Sequence, residues 1–255
     1  MSWDWINGCK KLQSEGLPFV LVTIVRCVGS TPRDLGTRMI VRADGGILGT
    51  IGGGNLEQMV IRDALDCIQK GITHVVRYPL ACRTKQCCGG SVEVLMEAMN
   101  IHPVLYIFGA GHVGSRLAEI MLGTPFEVHL IDERKDWLRS QTLPTEIITH
   151  TGTLAENEKK ILWDKQRTFI VVMTHDHQLD EQIIESIFAH KTAYIGLIGS
   201  ESKWATFEER LSERGTPAEK LKNVRCPVGL DIGGKSPSEI AISIAAELIK
   251  AYHGK

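Results

Sequence analysis

Two rhythms of apolar residues divide the chain. Over residues 1–100 the apolar segments are short and change period often. Trp5, Cys9 and Leu12 share one stripe of a helix predicted over residues 2–15. Phe19 to Cys27 is apolar and rich in β-branched residues, as a buried strand requires. Met39 to Val41 and Gly46 to Leu48 flank Asp44-Gly45, a hairpin-turn signal. Leu56 to Ile68 returns to a helical period, with Met59, Val60, Ala64 and Leu65 facing inward. Val75 to Tyr78 and Val92 to Met96 predict two further strands around a cysteine-rich loop. Gly29 to Gly36 and Gly52 to Asn55 have loop composition.

Asn100 to Pro103 marks a boundary, and from Val104 strand and helix alternate. Predicted strands are Val104–Phe108, Val128–Ile131, Phe169–Met173 and Ala193–Ile198. Predicted helices are Val113–Met121, Asp180–Phe188 and Pro237–Ile249, the last with a Ser-Pro start suited to a first helical turn. Such alternation implies a parallel sheet covered by helices on both faces. The expected fold class is therefore α/β. An N-terminal mixed α+β domain, residues 1–100, is followed by a Rossmann-like doubly wound parallel-sheet domain, residues 101–255.

Composition narrows the function classes. The 255 residues are 43% apolar and 23% charged, which argues against disorder and coiled coil. Lys plus Arg is 29 and Asp plus Glu is 30, so the basic footprint of a general nucleic-acid binder is missing. No apolar run reaches the roughly 20 residues of a membrane span. The first twelve residues lack the apolar core of a secretion signal. Seven cysteines, an odd number, do not form a secreted disulfide framework, and a cytoplasmic location is expected.

Gly109-Ala-Gly111-His112-Val-Gly114 follows an apolar strand, opens a helix, and precedes a second strand ending at Asp132. In that setting Gly109 serves a tight turn, Gly111 lets backbone approach a pyrophosphate, and Gly114 permits close helix–strand packing. The helix start favours an anion. Asp132 is placed to accept from ribose hydroxyls, and Arg134 leaves room for a 2′-phosphate. NAD(P) is one ligand for this unit; another nucleotide, or a scaffold kept for packing, is the alternative.

Three further clusters carry chemistry. Cys82-Arg-Thr-Lys-Gln-Cys87-Cys88-Gly89-Gly90 lacks the paired spacing of a zinc site. A single reactive thiolate suits it better, with the amides of Gly89 and Gly90 and the charges of Arg83 and Lys85 lowering the Cys88 pKa; a buried cysteine acting as a small hydrophobe is the competing reading. Gly52, Gly53, Gly54 and Asn55 lead into a helix and would hold a phosphate on backbone amides, with Arg33 and Arg38 offering forked donors. Against this stands plain turn chemistry with solvated arginines. Thr174-His175-Asp176-His177 and Gly199-Ser200…Lys203 follow predicted strands, so they belong near the glycine turn at the carboxyl edge of the sheet. Helix capping by Asp176 or Asp180 is the competing reading.

Several of these motifs occur in one order: Gly29-Ser-Thr-Pro-Arg33…Gly36, Gly49-Thr-Ile-Gly52-Gly-Gly-Asn-Leu-Glu57, Cys88-Gly-Gly90, Phe108-Gly-Ala-Gly-His-Val-Gly114, Thr174-His-Asp-His177, Ile198-Gly-Ser200…Lys203 and Pro227-Val-Gly-Leu-Asp-Ile-Gly233…Pro237. Together they resemble the xanthine dehydrogenase accessory protein family, also called the XdhC/CoxI family, over about residues 17–250. The resemblance implies a non-enzymatic chaperone for the molybdenum cofactor, or molybdopterin. Such a protein protects the cofactor, supports its sulfuration and inserts it into a xanthine dehydrogenase-type apoenzyme. A cysteine desulfurase is the second implied partner, and Cys88 is the implied molybdenum ligand. The chain departs mildly from the pattern in the doublet with Cys87, and in Gly234 and Ser236 where Ala and Thr are expected. An exposed Rossmann sheet edge makes a homodimer the expected assembly. Two other classes compete: an NAD(P)-dependent oxidoreductase with His175, His177 or Lys203 as proton donor, and a thiol or sulfur-transfer protein using Cys87 and Cys88.

Overall fold

The structure, a computed structural model, describes residues 4–80, 90–140 and 142–254. The chain divides into two compact units, Met1–Ile101 and His102–Lys255.

The first unit is built on a five-stranded antiparallel sheet in the order β3-β2-β1-β5-β4. Its strands are β1 (Phe19–Val28), β2 (Arg38–Arg42), β3 (Ile47–Gly49), β4 (His74–Pro79) and β5 (Ser91–Met99). The central β1 is not buried on both faces along its length. Burial alternates, as an antiparallel strand between two unlike layers requires. Val20, Val22 and Ile24 face helix α2 (Gly54–Lys70), where Val60 and Ala64 complete the core. Phe19 and Ile40 instead meet Leu12 of α1 (Asp4–Ser14), with Trp5 and Cys9 beside them. Gly45, at φ +80, turns β2 into β3, and its neighbour Gly46 donates its amide to Asp44. A register shift between Ile24 and Arg26 bends the end of β1 where it enters the loop 29–36.

The second unit holds six parallel strands in the order β11-β10-β9-β6-β7-β8. They are β6 (Val104–Phe108), β7 (Glu127–Ile131), β8 (Ile148–His150), β9 (Thr168–Val172), β10 (Tyr194–Leu197) and β11 (Val224–Arg225). The order reverses between β6 and β9, the switch point of a doubly wound sheet. Leu105 and Ile107 face α3 (His112–Met121) and α9 (Pro237–Tyr252). Tyr106 and Phe108 face the other way, toward α6 (His177–Ile187) and α7 (Glu201–Glu213).

The apolar pattern misses α4 (Lys135–Arg139), α5 (Leu154–Glu158), α7, α8 (Ala218–Leu221), β8 and β11. The two strands and α8 are too short to show a period. Helix α7 buries only Phe207 and Leu211. A capping signal was available for α5, where Thr153 and Glu156 form a capping box. Among the described residues, no helix is long and apolar enough to cross a membrane.

Candidate functional site

Each unit carries one cluster of the predicted residues. In the first unit, the loop 29–36, the Gly52 turn and the residue before β5 meet. A Cβ at Gly90 would collide with the carbonyl oxygens of Val28 and Ser30. A Cβ at Gly52, whose φ is +129, would stand 2.6 Å from Pro32 Cγ. The loop 29–36 therefore lies against both the Gly52 turn and the start of β5. Leu80 donates its amide to the Gly90 carbonyl at 2.9 Å, joining the two ends of the segment that carries Cys82, Cys87, Cys88 and Gly89. Those four residues lie outside the described residues. Arg33 is exposed, while its carbonyl accepts from the Thr31 hydroxyl at 3.1 Å.

The turn at Gly52 corrects one expectation. Its amides were expected to hold a phosphate, but Glu57 already supplies an anion. One Glu57 oxygen accepts from the Thr50 hydroxyl at 2.6 Å and from the amides of Ile51 and Gly53, each at 3.2 Å. The Gly52 amide donates to the Thr50 hydroxyl oxygen. The helix also begins at Gly54, so Gly54 and Asn55 belong to the first turn of α2 rather than to the loop. Sequence reasoning missed Glu57 as the internal cap because it lies one turn into the helix. Gly53, at φ +72, has nothing within 4 Å of where a Cβ would stand.

In the second unit the glycine turn has the geometry its spacing requires. Gly109 takes φ +112, and a Cβ there would strike the Met173 carbonyl. A Cβ at Gly114 would strike the Gly109 carbonyl. At Gly111 nothing lies within 4 Å of the Cβ position, and no side chain caps the N-terminus of α3 there. His112 opens that helix and meets Trp137 edge-on at 6.4 Å. Trp137 Nε1 donates to the Ala110 carbonyl at 2.8 Å, which braces the turn.

Asp132 differs from its expected role. One carboxylate oxygen accepts from the Arg134 amide (3.0 Å) and Nε (2.8 Å). The other accepts from the Ala110 amide (2.8 Å) and Arg134 Nη2 (2.7 Å). Four acceptor positions are thereby filled, leaving none for a ribose hydroxyl. Burial on its own raises the Asp132 pKa, but the hydrogen bonds from Arg134 and Ala110 outweigh it and hold the carboxyl below its ordinary value.

The Thr174–His177 segment does follow β9, and His175 lines a small cleft with Gly109, Asp132 and Asn157. Asp176 caps α6 by accepting from the Gln178 amide at 2.7 Å. His177 is the exposed first residue of that helix. Ser200 caps α7, accepting from the Lys203 amide. Lys203, expected at a ligand, instead donates to buried Asp180 at 2.6 Å and to the Ile198 carbonyl at 2.9 Å. Asp180 also accepts from the Thr174 amide and hydroxyl. This network ties the ends of β9 and β10 to their helices. The Cys226 thiol, which sequence reasoning left aside, faces the Ser200 carbonyl, and burial pushes its pKa up. Among the described residues, no group of three His, Cys, Asp or Glu side chains could hold a metal ion.

Comparison with known proteins agrees with both units. The XdhC Rossmann domain family matches residues 105–248, and the XdhC and CoxI family matches residues 12–79. "Uncharacterized protein YqeB" of Escherichia coli K12 is 30% identical over 245 residues, covering 94% of this chain and 44% of that protein. A Bacillus subtilis 168 protein named as a probable xanthine dehydrogenase subunit is 31% identical over 162 residues, covering 63% of this chain and 46% of that protein. The "Molybdenum cofactor insertion chaperone PaoD" of Escherichia coli K12 is 24% identical over 265 residues, covering 92% and 83%. The chain thus spans less than half the length of the first two relatives.

Proposed function

Since the chain belongs to the XdhC and CoxI family, we propose that it binds the molybdenum cofactor, keeps it from water and delivers it to a xanthine dehydrogenase-type apoenzyme. Relatives named as a molybdenum cofactor insertion chaperone and a xanthine dehydrogenase subunit support an XdhC-type role. The observation that carries the reading is the packing of the loop 29–36 against both the Gly52 turn and Gly90 at the start of β5. Gly90, two residues after Cys88, packs on the carbonyls of Val28 and Ser30, and Gly52 packs on Pro32.

The donor set fits such a guest. The open space over Gly53 lets a flat ring approach the backbone. Arg33 is exposed and forms no ion pair among the described residues, so its guanidinium is available for a phosphate. This replaces the Gly52 turn, where Glu57 holds the Ile51 and Gly53 amides and Thr50 holds that of Gly52, as the phosphate donor. When bound, the cofactor supplies a molybdenum centre that takes soft sulfur ligands. Cys88 provides the thiolate, and Gly89 and Gly90 provide amides that favour its charged form. In the second unit, the uncapped N-terminus of α3 at Gly111 suits a phosphate of a separate nucleotide. The filled acceptors of Asp132 weigh against NAD(P) as that nucleotide.

On this reading a cysteine desulfurase supplies sulfur for the cofactor. The protein works as a homodimer in the cytoplasm, where Cys88 stays reduced. The test is to load the protein with molybdenum cofactor and measure retained molybdenum by elemental analysis. Cys88→Ala is expected to lose most of the metal, and Cys87→Ala to keep it. Equal retention by wild type and Cys88→Ala would refute the thiol's role.

A further inference from the structure

A cleft of about 920 Å3 opens in the second unit beside the amino ends of β9, β10 and β11. Lys165 precedes β9, Lys191 precedes β10, and Asn223 precedes β11 along its lining. The glycine turn follows the carboxyl end of β6, so the cleft is on the opposite edge of the sheet. It belongs to none of the motifs discussed above.

Six cationic side chains line it: Lys165, Lys191, Lys220, Lys222, Arg225 and Lys250. None of them forms an ion pair among the described residues. Lys220 donates a hydrogen bond to the Phe188 carbonyl at 2.6 Å. Glu247 is the single carboxylate of the lining, and it accepts from the Gly229 amide. In a chain with 29 basic and 30 acidic residues, this is an uneven concentration of charge. A concave basic surface focuses positive potential and attracts anions.

The floor adds a second, independent feature. Phe188, Tyr194 and Leu230 give it an apolar base. His190 lies at the rim, stacked on Trp163 with ring centroids 3.8 Å apart and planes 9° from parallel. Tyr194 is only 8% exposed, and its hydroxyl faces Glu247 without a well-formed hydrogen bond. A buried hydroxyl left in that condition is stabilised by a ligand that bonds to it. The volume falls in the range of small-molecule sites, about 300–1,000 Å3, rather than of a flat protein interface.

We propose that this cleft binds a small phosphorylated organic anion of the nucleoside polyphosphate class, with its phosphates on the lysines and its ring on the apolar floor. Titration calorimetry on the full chain tests it with ATP, inorganic tripolyphosphate and adenosine as probes. ATP is expected to bind more tightly than tripolyphosphate, adenosine not to bind measurably, and added salt to weaken both anions. The triple variant Lys191→Glu, Lys222→Glu, Lys250→Glu changes exposed side chains only, and circular dichroism checks that it stays folded. It is expected to lose at least about tenfold in ATP affinity, roughly 1.4 kcal/mol. The double variant Lys10→Glu, Lys11→Glu, which makes a similar charge change at exposed positions of α1 in the first unit, is expected to leave binding intact. The proposal is overturned if ATP fails to bind at about 1 mM, if it binds no better than tripolyphosphate, if the triple variant binds like wild type, or if the Lys10→Glu, Lys11→Glu variant loses binding to the same extent.

Discussion

A carboxylate has about four lone-pair positions, and Asp132 uses its full set inside the protein, on Arg134 and Ala110. Its place after β7 was legible from spacing. Its commitment was not, because that depends on where the Arg134 guanidinium folds back. The glycines of the adjacent turn separate in the same way. Gly114 is required by packing, since a methyl there meets the Gly109 carbonyl. Gly114→Ala is expected to destabilise the fold by about 1–3 kcal/mol, read from urea denaturation midpoints. Gly111→Ala meets open space at an ordinary backbone angle, φ −70. Its stability is expected to change by less than about 0.5 kcal/mol, while ligands that approach this backbone bind more weakly. A large stability loss at Gly111 would contradict the open geometry.

At the level of elements, the edge pair β7–β8 holds a row of titratable groups. His129 Nε2 pairs with Glu127 at 2.8 Å, and His129 Nδ1 meets His150 Nε2 at 2.8 Å. Burial, followed by the charges of His129 and Lys160, pushes His150 down to about 4. Its hydrogen bond with His129 holds Glu127 below the usual carboxylate value, against the opposing effect of burial. An unfolded histidine titrates near ~6.5. A histidine held neutral in the fold therefore contributes stability that is whole above that pH. The contribution is lost as pH falls from ~6.5 toward the folded value, because the unfolded chain takes up the proton first. Unfolding free energy measured at about pH 7.5 and about pH 5 should fall across this window in wild type. In His150→Phe the fall should be smaller, and an identical pH dependence would remove His150 from the account. Neither β8 nor this row was legible in the sequence. A strand of three residues has no period, and cross-strand partners are set by register alone.

For the whole molecule, each of the two compact units closes its hydrophobic core with its own residues. The second unit contains both of its hydrophobic layers within its own residues, one around Leu105, Ile107 and Leu248 and one around Tyr106, Ile170 and Phe207. A fragment of residues 102–255 is therefore expected to fold alone and unfold in one cooperative transition, seen by circular dichroism and near-ultraviolet signals together. A fragment without a cooperative transition would show that the first unit is needed for its fold. The alternating apolar segments from Val104 onward determined the parallel sheet by themselves, because period and turn chemistry are local properties of the chain. The glycine spacing at 109, 111 and 114 likewise specified the turn. Tertiary structure alone decided which donors and acceptors stay available. Glu57 fills the amides of the Gly52 turn, Lys203 is bound to Asp180, and six cations gather at the amino edge of the sheet. These facts arise from side chains distant along the chain meeting in space, and such meetings leave no periodic trace in the order of residues.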